Sequence, residues 1–269
     1  GRRRPNRSTD GRPDQTKIAF MARLGDDWDV YVINPDGSNL TRLTDAGQDD
    51  QSPAWTPDGR RIVYTRDHRL HSMDANGANK RSVTPPGTQG QSDPAVSPDG
   101  STIAYTTRSP GAFRHLHLID LDGANERAIP KALNYDFAPS WSPDGTKLAY
   151  YGYPEGSSHV YVVNIDGSDL ARLPIDGGSF PAWSPNGSKI AYPYGDGLIV
   201  VNADGSDPVK VTNNPRGVGN PSWSPDGTMI AFSSNRDGLE TLYTANADGS
   251  NVRRLLAAEM WSLSAAWSP

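Results

Sequence analysis

The chain has 269 residues, with 26 basic and 31 acidic side chains, 27 glycines, 23 prolines and no cysteine. The lack of cysteine excludes disulfides, Cys-ligated zinc and thiol catalysis, and the net charge of −5 argues against a nucleic-acid partner. No apolar run approaches the roughly 18 residues of a membrane-spanning helix, so direct membrane insertion is not expected.

Residues 1–12, "GRRRPNRSTDGR", hold five Arg and one Asp and read as an Arg-rich flexible N-terminal segment. The chain opens on Gly1 rather than Met, which leaves a removed leader or anchor open. Residues 13–269 read as a single domain, because one pattern runs through them without a break. Its first strands are "KIAF" 17–20, "DVYVIN" 29–34 and "TRLT" 41–44.

A phrase of the form P-x-W-S-P-D-G then sets in, its aromatic position falling at Trp55, Val96, Trp141, Trp183, Trp223 and Trp267. The copies lie 40 to 45 residues apart, a period that marks a repeat architecture. A second phrase appears at "KIAF" 17–20, "RIVY" 61–64, "TIAY" 102–105, "KLAY" 147–150, "KIAY" 189–192 and "MIAF" 229–232. A third, ending in Asp-Gly or Asn-Gly with a small polar residue, closes each unit, as in "VNIDGSD" 163–169.

Ser-Pro-Asp-Gly suits a type I turn, with Pro presetting φ and Gly free to take positive φ as a bulge, here at Gly145. Asn-x-Asp-Gly makes a second hairpin turn, between "VYVV" 160–163 and "LARL" 170–173. Each unit therefore supplies four short strands, A to D. A four-stranded sheet cannot bury two apolar faces alone, whereas radial stacking of such sheets does. The N-terminus begins with strands B, C and D, and the C-terminal "SAAWSP" 264–269 is a strand A with nothing after it. Pro13-Asp14 matches the Pro-Asp that would follow Trp267-Ser268. The expected fold is all-β: a six-bladed β-propeller of four-stranded antiparallel blades, closed by the C-terminal innermost strand pairing with the N-terminal strands.

The units "PSWSPDGTKLAY" and "YVVNIDGSDLARL" resemble the WD-like repeat of the TolB propeller domain, and the resemblance covers the chain after about residue 13. Departures fall at Val96, at Asn186 and at "DANG" 74–77. The resemblance implies an extracytoplasmic (periplasmic or secreted) binding scaffold. The same repeat also stands beside hydrolase domains, in some lyases and in receptor ectodomains, so it specifies architecture better than activity.

The residues do not assemble a catalytic set. No G-x-S-x-G elbow and no phosphate-binding loop occurs. His115, His117 and His159 fall on matching strands C, which pack between blades, so no metal is expected there. The Asp-Gly pairs recur as turns and lack the twelve-residue frame and terminal Glu of an EF-hand. The aromatic set Phe20, Tyr64, Tyr105, Tyr150, Tyr192 and Phe232, one per unit at one register, reads as core. No enzyme, cofactor or metal is expected, and the oligogalacturonate-lyase reading lacks channel-facing basic residues.

Function is then expected where the units differ. The repeated A–B and C–D turns lie on one face, and the variable D-to-A and B-to-C connections emerge on the other. The D-to-A segments feed strand A, so their last residues are expected to ring the channel mouth. The expected site carries Asp50, Gln51, Gln91, Asp93, Asp136 and Asn220 as polar groups, with Tyr135, Phe137, Phe180 and Trp261 as apolar platforms. The B-to-C loops 106–114 and 151–158 extend that surface. A concave acidic mouth with aromatic walls suits a protein or peptide segment, with a glycan as the other ligand class. The leading expectation is a monomeric, non-catalytic binding module. The alternatives are the substrate-gating propeller of a larger enzyme and the ectodomain of a membrane receptor.

Overall fold

Turn chemistry builds the hairpins. In the computed structural model the Gly145 N–H donates to Ser142 O at 2.9 Å, and Gly145 takes a φ of 72°. The Ser142 hydroxyl donates to Asp144 Oδ1 at 2.6 Å, and the same carboxylate accepts from the Thr146 N–H at 3.0 Å. These bonds hold the Asp144 carboxyl below its ordinary range, the Ser142 bond contributing most. Asn186 serves as well, because its amide oxygen accepts from the Ser184 hydroxyl and the Ser188 N–H just as a carboxylate does.

The structure describes residues 16–45, 47–85, 88, 90–108, 114–130, 133, 135–154, 156–214, 217–256 and 260–269. The Arg-rich segment and the expected Pro13-Asp14 turn lie outside them. Six four-stranded antiparallel sheets follow one another. Blade 1 contains Ile18–Arg23, Trp28–Ile33 and Thr41–Arg42, with Trp261–Trp267 as its innermost strand. Blade 2 is Asp50–Trp55, Arg61–Arg66, Arg69–Asp74 and Arg81–Ser82; blade 3 is Gln91–Val96, Thr102–Arg108, Arg114–Asp120 and Arg127–Ala128. Blade 4 is Asp136–Trp141, Lys147–Gly152, His159–Asn164 and Ala171–Arg172. Blade 5 is Ala182–Trp183, Lys189–Tyr194, Gly197–Asn202 and Val209–Asn213; blade 6 is Val218–Trp223, Met229–Ser234, Thr241–Asn246 and Arg253–Arg254.

The expected closure is present. Ile18 pairs with Trp267 and Ala19 with Ala266, and the Ser268 N–H donates to Lys17 O at 2.7 Å. The core is divided into six clusters, each drawn from two adjacent blades. In one, Leu116, Leu118 and Ile129 of blade 3 meet Leu148, Tyr150 and Tyr161 of blade 4. The aromatic set Phe20, Tyr64, Tyr105, Tyr150, Tyr192 and Phe232 is fully buried, as one residue per interface requires. The outermost strands are two residues long in five blades and expose Arg42, Arg81, Arg127, Arg172 and Arg253, which blunts the free edges against further pairing.

Strand A differs from expectation at its start. It begins at Asp50, Gln91, Asp136 and Val218, before the residue–proline pair that the turn signals place in a loop. The pair is absorbed as a bulge, since register shifts between Gln51 and Ala54, Ser92 and Ala95, Phe137 and Ser140, and Gly219 and Ser222.

Candidate binding site at the channel mouth

The residue before the proline position takes the left-handed conformation in all six blades. Ser52, Asp93, Ala138, Phe180, Asn220 and Ser264 have φ of 50°, 54°, 47°, 44°, 47° and 53°. Pro53, Pro94, Pro139, Pro181, Pro221 and Ala265 follow them, and the twelve residues line a cavity of about 130 Å³ at the head of the channel. A left-handed non-glycine residue costs on the order of 1 kcal/mol, and such a residue persists only where its surroundings dictate it. In five blades the sheet pairing on both sides of the bulge does so, while in blade 5 the strand begins only at Ala182, after Phe180 and Pro181. The channel widens to about 510 Å³ at the opposite face, where Trp55, Trp141, Trp183, Trp223 and Trp267 line it.

Of the expected site residues, Asp93, Phe180 and Asn220 stand in this ring. Asp93 Oδ1 accepts from the Ser52 hydroxyl at 3.3 Å and Oδ2 from the Ser92 hydroxyl at 3.0 Å. Arg114 Nη1 donates to Ser92 Oγ at 2.9 Å, and its guanidinium lies 5.0 Å from the Phe137 ring centroid. Phe137 stacks on Tyr151 at 5.1 Å, and Tyr151 packs on Phe180 at 4.9 Å. Tyr153 stands edge-on to Phe137 at 5.9 Å and is 39% exposed. Burial pushes the Tyr151 hydroxyl above its ordinary range, and the Asp93 carboxylate adds to the shift. The result is an aromatic platform with a cation on one edge and a ring carboxylate beside it.

Three expected site residues do not face the mouth. Asp50, Gln91 and Asp136 occupy the first position of strand A, where side chains turn into the blade, and all three are buried. Asp50 forms a two-pronged ion pair with Arg66, both contacts at 2.7 Å. Gln91 Oε1 accepts from the Leu70 N–H at 3.1 Å and the Thr84 hydroxyl at 2.9 Å, stitching blade 3 to the end of blade 2. Asp136 finds no cation and no well-formed hydrogen bond among the described residues: burial pushes its carboxyl up to about 8, and the Leu133 and Leu116 N–H groups that face it offset this only in part.

Gln51 is half-buried opposite Thr65. Tyr135 is exposed near the platform in sequence, and Trp261 is exposed on blade 1, where it packs edge-on to Trp28 at 5.5 Å. Arg114, Tyr151 and Tyr153 were missed as individual site residues, although they lie in the two B-to-C segments singled out. The signal for them is geometric: the end of strand B pairs with the start of strand A, so Tyr151 must stand opposite Phe137. His117 Nδ1 lies 3.3 Å from Glu126 Oε1, while His159 Nδ1 accepts from the Gly177 N–H at 3.2 Å. Among the described residues no three His, Asp or Glu side chains converge as metal ligands would.

Six blades, a ring-lined channel and a closing strand define a six-bladed β-propeller whose variable chemistry is gathered at one mouth. The family model described as the TolB beta propeller domain matches residues 5–115 and 114–269, and the chain belongs to that family. A protein TolB homolog of Chlorobium luteolum is 32% identical over 262 residues, which are 94% of this chain and 60% of that protein. A Tol-Pal system protein TolB of Anaeromyxobacter dehalogenans is 34% identical over 129 residues, 47% of this chain and 29% of that protein. The crystal structure of TolB from Acinetobacter baumannii shares the fold with a TM-score of 0.82 at 21% identity, over 94% of this chain and 66% of that one. The chain thus spans less than two thirds of the length of each of these relatives.

Proposed function

We propose that this chain is a non-catalytic binding propeller that works outside the cytoplasm and docks a segment of a protein partner on its channel-mouth face. The observation that carries the reading is the platform of Phe137, Tyr151 and Phe180, flanked by Arg114 and the ring carboxylate of Asp93. Aromatic faces supply contact area at little cost in side-chain entropy, and the fixed charges orient the bound segment. A relative's place in the Tol-Pal system supports a partner from that system, and no described helix is long and apolar enough to cross a membrane. Phe137→Ala combined with Phe180→Ala is expected to weaken capture of a Pal partner about tenfold or more in a titration. Unchanged affinity in a variant with an unchanged melting temperature defeats the assignment.

A further inference from the structure

A second apolar patch stands on the same face, on blade 1. Trp261 is 42% exposed and Leu24 62% exposed. Trp28 and Trp261 both pair with Arg23 across the sheet, so the two indoles flank one position and meet edge to face. Arg23 Nε donates to Gly25 O at 2.9 Å, which ties its guanidinium to its own loop. Large exposed aromatic and aliphatic groups gathered in one place mark an interaction surface rather than ordinary surface scatter.

The rim of the patch is acidic. Asp49 Oδ1 accepts from the Trp28 N–H at 3.0 Å. A Cβ at Gly47 would come 3.9 Å from Asp27 Oδ2, which sets that carboxylate beside the loop bearing Asp49. Asp26 is exposed next to it. Nearby Asp29 and Asp50 are neutralised by Arg42 and Arg66, whereas Asp26, Asp27 and Asp49 form no ion pair among the described residues. Lysine and arginine lay their apolar stems on such an indole surface while their heads reach carboxylates.

We propose that the patch of Leu24, Trp28 and Trp261, rimmed by Asp26, Asp27 and Asp49, docks a lysine- or arginine-bearing apolar segment of a protein partner. This rests on reading the mouth face as a docking surface, and it gives that surface a polarity. The cationic end of the bound segment lies over blade 1, away from Arg114.

The test uses the full chain and two labelled probes of about eight residues, one alternating lysine with leucine and the other glutamate with leucine. Fluorescence anisotropy is expected to show binding of the lysine probe alone. Trp261→Ala weakens it about tenfold or more, as removal of an aromatic anchor does. Asp26→Asn with Asp27→Asn weakens it and flattens its dependence on salt between about 0.05 and about 0.5 M. Equal binding of the glutamate probe, no binding of the lysine probe, or indifference to Trp261→Ala overturns the proposal. Self-association abolished by Trp261→Ala also overturns it, assigning the patch to a second copy. If Pal capture depends on Phe137 and Phe180 while the lysine probe ignores Trp261 and the Asp pair, the platform stands and this proposal falls. If none of these substitutions changes either measurement, both fall.

Discussion

Replacing Asp136 by Asn is expected to make the protein more stable than the wild type, and increasingly so as pH rises. Asp136 and Asp50 hold the same position in blades 4 and 2, yet Asp50 pairs across its strand with Arg66 and Asp136 with Gly152. Among the described residues no cation answers the second carboxylate, and a Cβ at Gly152 would already meet Leu133 Cδ1 at 3.2 Å. Burial raises the Asp136 carboxyl from 3.8 to about 8 in the folded state. Between those values the folded chain holds a proton that the unfolded chain has lost. Unfolding then releases a proton, so stability falls with rising pH by about 1.4 kcal/mol per pH unit across that window. Asn removes this slope and leaves every other titration in place. The stability difference between Asp136→Asn and wild type should therefore grow by about 2.7 kcal/mol between about pH 5 and about pH 7. Urea unfolding followed by tryptophan fluorescence at intermediate pH values measures it. Parallel stability curves for the two proteins would refute the reasoning, since they require Asp136 to be ionised in the folded state.

Two further outcomes follow from the same frame. Arg66→Ala leaves the buried Asp50 carboxylate without its cation and is expected to cost about 3 to 5 kcal/mol in urea unfolding, with Asp50→Asn recovering part of the loss. Truncation after Leu256 removes Met260 and Trp267 from the core between blades 6 and 1. At roughly 3 kcal/mol for each large buried side chain, and with the seam hydrogen bonds lost as well, the deletion approaches the whole stability of a typical domain. Calorimetry is expected to show no cooperative transition for the truncated chain.

The blade count and the closure were legible because turn chemistry is local: Ser142, Asp144 and Gly145 make their bonds within a few residues, and each repeat announces them. The aromatic core was legible because its register never changes. The mouth was harder to read. Ser52, Asp93, Ala138, Phe180, Asn220 and Ser264 share a backbone conformation but no side-chain chemistry, so nothing in their composition marks a left-handed ring. Asp50, Gln91 and Asp136 look like surface polar residues in loops, and only the bulge two positions later shows that they are already inside a strand. The platform depends on Tyr151 and Arg114, which meet Phe137 through strand pairing and blade neighbourhood rather than through proximity in the chain.

The left-handed ring has a consequence for how such a propeller can change. The width of the mouth is set by main-chain dihedral angles and the residues that follow them, while the six side chains on the ring range from Ala138 to Phe180. Fit and stability are thereby uncoupled at these positions. A new partner can be met by exchanging rim side chains, as one changes the bit in a fixed chuck, without reopening the question of whether the ring folds.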